Sequence, residues 1–158
     1  MRKNVGPIEA PAVRPAAEWL NLGQIASVDV TSEDPIFPIE HALGVQETTG
    51  WRSAAEGPQI IRLRFDTPQT LQRIHLHFID RASERSQEFA VFAGANECLR
   101  EVVRQQWSFS PGGATEESEE YQVDLQDIVT FEIRIDPDRS HDPAKSQSYA
   151  SMQRLRLA

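Results

Sequence analysis

The chain has 158 residues, of which 39% are hydrophobic and 25% charged, enough to bury one core and unlike the composition of a chain disordered throughout. Its formal net charge of -8 and pI near 5.0 set it against a nucleic-acid backbone, which is excluded as the default partner. No apolar run reaches membrane-spanning length, and Val5-Gly6-Pro7-Ile8 follows the opening residues where an export signal has a continuous apolar stretch, so no membrane partner and a cytoplasmic location are expected.

Residues 1 to about 18 carry Pro7, Pro11 and Pro15 among small and charged residues and are read as an extended or disordered tail ahead of a single domain over 19–158. From Trp19 onward short alternating segments follow one another. Ser27 to Thr31 is the first candidate strand. Ile61, Leu63 and Phe65 then alternate with Arg62 and Arg64 and are closed by Asp66-Thr67-Pro68. Next, Ile74, Leu76 and Phe78 alternate with His75 and His77, which leave the same strand face and have the spacing to share a metal, although two solvated rings on a polar face are the simpler reading.

Further along come Phe89 to Ala93 and Val102 to Phe109, with a turn at Pro111-Gly112-Gly113 after them. Tyr121 to Leu125 follows an acidic loop, Glu116 to Glu120, which is read as solvated because it lacks the ligand spacing of a calcium loop. Val129, Phe131, Ile133 and Ile135 form the third strong alternating set, stopped by Asp136-Pro137-Asp138, and Met152 to Leu157 ends the series. About eight short strands with one apolar and one polar face each predict an all-β fold, an antiparallel β-sandwich. The three strong sets are its expected central core.

Catalytic signatures are missing. Ser140-His141-Asp142 has the residue types of a triad, but neighbours in sequence do not reach the mutual geometry a triad needs. The glycines at 112 and 113 lead into acidic residues rather than into a phosphate-binding helix. Cys98 is alone, so the chain has no internal disulfide, in keeping with a reducing compartment. Aromatic residues near strand ends, Phe37, Trp51, Trp107, Phe109 and Tyr149, either plug the core or offer rings on which a sugar stacks its apolar C–H face.

A family resemblance emerges from Asn21-Leu22-Gly23-Gln24-Ile25-Ala26-Ser27, Pro38 to Gly44, Thr49-Gly50-Trp51-Arg52-Ser53 and Gln59 to Phe65. Together these resemble the discoidin, or coagulation-factor type C, domains of the galactose-binding-like jelly rolls, whose T-x-W-x-S signature the third stretch matches. The resemblance implies a jelly-roll sandwich from about Asn21 to the end, with Trp51 anchoring a loop against the end of the sandwich. Where calcium-bearing members have an Asp-Gly turn and a late carboxylate, this chain has Leu43-Gly44 and a closing Met152-Gln153-Arg154-Leu155-Arg156-Leu157, so no metal and no cofactor are expected.

The function the resemblance implies is a non-catalytic carbohydrate-binding module; the alternative is an intracellular docking module of the same fold, so the expected partner is a carbohydrate or a protein. Ligands of such domains sit on loops at one end. The expected contacts are Arg52 and Arg85 as donors, His41 as a second polar contact, Phe37 as the stacking face and Glu33 beside them, within loops that include Arg81 to Arg85. Pairing of the arginines with Glu33, Glu84 or Glu88 on the surface is the competing reading.

Overall fold

Apolar alternation carries through two strands far longer than sequence reading divides them. The computed structural model describes residues 18–44, 49–142 and 148–158, together with Lys3 and Val5; nearly all of the expected tail lies outside these residues. The elements in order are α1 (Leu22–Ile25), β1 (Ala26–Val30), α2 (Glu40–Leu43), β2 (Trp51–Glu56), β3 (Gln59–Ile79), β4 (Arg85–Gly94), β5 (Arg100–Phe109), β6 (Glu116–Asp136), β7 (Tyr149–Met152) and β8 (Arg154–Leu157). Among the described residues no helix is long and apolar enough to cross a membrane.

β3 and β6 are 21 residues each and pair antiparallel from end to end apart from an irregular middle. Asp66-Thr67-Pro68, expected to end a strand, instead sits inside β3 where the register against β6 shifts between Arg64 and Arg73. Proline has no N–H to give to a ladder, so a strand tolerates it at such an irregularity, and the chain bends there rather than turning back. Asp127, at φ 55, marks the same bend on the β6 side. Before the bend β3 lies in the row β1-β3-β6-β4-β5; beyond it, β3 pairs with the first half of β6 and with β8. β2 and β7 form a separate two-stranded ribbon.

The two halves of the β3–β6 pair thus supply opposite layers of a sandwich. Phe78, past the bend, meets Phe89 of β4 with ring centroids 5.2 Å apart. Ile61, Leu63, Phe65, Ile74, Leu76, Phe78, Phe131, Ile133 and Ile135 are all buried, as their alternation predicts. The expected strand Met152 to Leu157 is two short ones, β7 and β8, joined at Gln153. That joint lies at the sandwich end opposite Ala158, whose carbonyl accepts the N–H groups of Gln72 and Arg73.

Candidate functional site

At the Gln153 end a cleft of about 650 Å³ opens between the β2–β7 ribbon and the loop after β3. It is lined by Phe37, Trp51, Arg52, Arg81, Tyr149 and Gln153 among others. Its size falls within the roughly 300–1,000 Å³ usual for small-molecule sites.

One wall starts at Thr49-Gly50-Trp51-Arg52-Ser53. Gly50 has φ +76, and a Cβ there would lie 2.8 Å from Gln153 Cα and from the Met152 carbonyl oxygen, so only glycine lets β2 begin this close to the β7–β8 joint. Trp51 follows, 1% exposed, its Nε1 donating to the Ser32 carbonyl at 3.2 Å. Ser53 is buried too, giving its hydroxyl proton to Ala55 O and accepting Ala150 N–H. With Trp51 and Ser53 turned inward, strand alternation turns Arg52 outward into the cleft. Its backbone is held on both sides, its N–H by Phe37 O and its carbonyl by Asp34 N–H, and its guanidinium lies 4.5 Å from the centroid of the Phe37 ring.

The facing wall is the loop at 80–83. Asp80 Oδ1 accepts the N–H groups of Ala82 and Ser83, and Oδ2 accepts Arg85 Nε at 2.7 Å. Burial works to raise the Asp80 carboxyl, but the Arg85 hydrogen bond and the two loop N–H groups outweigh it and hold the carboxyl below its ordinary value. Arg81 is exposed on the cleft side of this loop.

Arg85, expected to meet a ligand, is only 3% exposed. Its Nη1 donates to Gln87 Oε1 and to the Pro137 carbonyl, and its guanidinium lies 4.6 Å from the Phe109 ring centroid. It therefore supports the loop from beneath the cleft. Parity gives the reason: Arg85 and Gln87 continue the inward series of Phe89, Val91 and Ala93, all buried on β4. Extending that strand two steps toward the N-terminus is the sequence signal that locates it.

Of the other expected contacts, Phe37 and Arg52 line the cleft together. His41 is half-buried on α2 and stands behind the rim, its Nδ1 3.2 Å from the hydroxyl of Thr49, which does line the cleft. Glu33 does not reach it; its Oε2 accepts Ile39 N–H ahead of α2. Neither arginine pairs with the carboxylates the competing reading named: Arg85 bonds Asp80, and Arg52 makes no ion pair among the described residues. Tyr149, 42% exposed, donates its hydroxyl proton to Glu56 at 3.4 Å. Ser151 and Gln153 were missed, because only the pairing of β7 with β2 brings them to the cleft.

Phe109 is buried and Trp107 half-buried on β5, so these two aromatics are core rather than rim. His75 and His77 stack with centroids 6.4 Å apart on the outside of β3, facing Ser118 and Glu116 of β6. Among the described residues no group of three or more His, Cys, Asp or Glu is arranged to hold a metal.

No family model and no curated protein matches the chain. Solved structures do. The family 32 carbohydrate-binding module of Clostridium perfringens NanJ, in complex with galactose, is 16% identical with a TM-score of 0.58, over 88% of this chain and 96% of that one. CBM32-3 from a family 31 glycoside hydrolase of Clostridium perfringens gives 17% and 0.60 over 88% and 93%, respectively. The CBM32 of AlyQ, in complex with 4,5-unsaturated mannuronic acid, gives 17% and 0.60 over 85% and 95%. What the chain shares with them is architecture: its fold is the jelly-roll β-sandwich of these domains.

Proposed function

We propose that this domain is a non-catalytic carbohydrate-binding module that holds a sugar in the cleft between Phe37, Arg52, Arg81, Tyr149 and Gln153. The observation that carries the reading is the cleft itself, where aromatic side chains and several hydrogen-bonding groups converge at the sandwich end from the β2–β7 ribbon and the loops beside it. Tyr149 and the Phe37 edge offer apolar surface to the C–H face of a pyranose, and Arg52, Arg81, Ser83 and Gln153 surround it with groups suited to hydroxyls. Structural neighbours solved with galactose and with an unsaturated mannuronic acid favour the same ligand class.

Binding without turnover is supported by the carboxylate inventory. Hydrolysis of a glycosidic bond ordinarily uses two carboxyl groups flanking it. Among the described residues Asp80 alone lines the cleft as a carboxylate, and its oxygens are taken by Ala82, Ser83 and Arg85.

A glycan array followed by amide NMR titration of a hit tests the proposal. Shift changes are expected at Phe37, Thr49, Arg52, Ala82, Ser83, Tyr149 and Gln153. Changes confined to the outer faces of the sheets, or no hit across the array, would overturn it.

A further inference from the structure

The charge of the cleft runs against that of the molecule. Formal net charge is -8, and Arg62, Arg73, Arg85, Arg104, Arg134 and Arg139 each make an ion pair with an Asp or Glu. Arg52 and Arg81 line the same cleft, both exposed, and neither has an ion-pair partner among the described residues. Asp80, the cleft's carboxylate, is already matched by Arg85 beneath it and stays ionised there. Among the described residues, two guanidinium groups without an ion pair therefore share a concave site, where low-dielectric walls focus their field.

Resting on the sugar-binding reading above, we propose that the preferred ligand is an acidic sugar, with the carboxylate of a uronic acid residue seated between Arg52 and Arg81. Guanidinium is planar and presents paired N–H donors that match the two oxygens of a carboxylate, a fit that a neutral hydroxymethyl group lacks. Arg52 is ordered before binding by the Phe37 ring and by hydrogen bonds to its own N–H and carbonyl, so little freedom is lost when it engages. Arg81 projects from a loop whose backbone Asp80 pins at Ala82 and Ser83. The carboxylate meets one cation on each wall, and the sugar ring lies toward Tyr149 and Gln153.

The test compares oligosaccharides of galacturonate, glucuronate and mannuronate with their methyl esters and with neutral galactose oligosaccharides, by calorimetry and amide NMR at low and raised salt. The methyl ester keeps the ring and removes the charge. At least one uronate is expected to bind about tenfold or more tighter than its ester, as an added charge-assisted contact supplies, with the gap narrowing as salt rises. Arg81→Gln should remove most of that gap while leaving the melting temperature unchanged, which separates lost recognition from lost fold. Equal affinity for acid and ester, or binding of neutral sugars alone, overturns the acidic-sugar assignment and leaves the sugar-binding reading standing. Tighter binding of sulfated galactose than of every uronate overturns the carboxylate assignment. An absence of cleft shifts with all of these sugars and with every array glycan overturns both.

Discussion

At Gly50 two separate demands meet: a left-handed backbone and no room for a side chain. Gly57 has φ +82, yet a Cβ there meets nothing within 4 Å. Gly57→Ala should therefore cost about 1–2 kcal/mol, the penalty of the left-handed conformation alone. Gly50→Ala should cost clearly more, because the opposing atoms are the backbone of Met152 and Gln153 and cannot swing aside. Urea denaturation of both variants checks this, and equal losses would count against the steric account. The consequence reaches the cleft, since the Met152-Gln153 joint is part of its lining. At this scale burial was legible wherever side chains alternate, as in Ile61, Leu63 and Phe65. Arg85 was not, because a charged residue reads as surface until Asp80, Gln87 and Pro137 are seen around it.

The loop at 80–83 is a small element built on one ion pair whose cation is buried. The Arg85 side chain is 1% exposed, and Asp80 is its charged partner. Replacing Asp80 with Asn keeps an acceptor for the Ala82 and Ser83 N–H groups but leaves the guanidinium buried without an anion. The expected loss is about 3–5 kcal/mol at neutral pH. Because the folded state depresses the Asp80 carboxyl below 3.8, its contribution is present above that value and is lost as pH falls through the lower, folded one. Unfolding measured at neutral and strongly acidic pH should show wild type and Asp80→Asn converging in acid. Parallel curves would mean that the ion pair matters little. Elements were legible as strands but not as lengths. Asp66-Thr67-Pro68 carries every local sign of a turn, and only pairing with β6 on either side keeps the chain extended through it. Gln153 was illegible for the same kind of reason, since short-range pattern runs straight from Met152 to Leu157.

Across the whole molecule, the polar groups beneath the cleft extend to Glu117, which is fully buried on β6. Burial, reinforced by the neighbouring Glu119, pushes its carboxyl up to about 8 against the opposing pull of Gln87 and Arg85. Glu117 Oε2 and Arg85 Nη2 both lack a hydrogen-bond partner among the described residues. A carboxyl raised on folding contributes stability that is complete below its ordinary value of 4.5 and is lost as pH rises through the raised value. Stability should thus decline between those limits at up to about 1.4 kcal/mol per pH unit. Glu117→Gln keeps the shape and the Gln87 contact without the charge. It should flatten that decline and exceed wild type in mildly alkaline buffer, as chemical denaturation across pH would show; an unchanged slope would assign the effect to another group.

The long β3–β6 pair also governs how fast this chain reaches its fold. The Arg62–Glu132 contact closes a separation of 70 residues, and the β4–β5 ladder is the local exception within the same sheet. Joining ends so far apart consumes chain entropy before the burial of Leu63 against Phe131 returns any of it. Refolding after a denaturant jump is accordingly expected in the millisecond-to-second range typical of sandwiches with non-local pairing, and microsecond refolding would contradict this topology. A nascent chain released only as far as β5 holds β3 without its central partner. Until residues 116–136 emerge, the row of N–H and C=O groups that β6 will cover stays open to any other strand that passes.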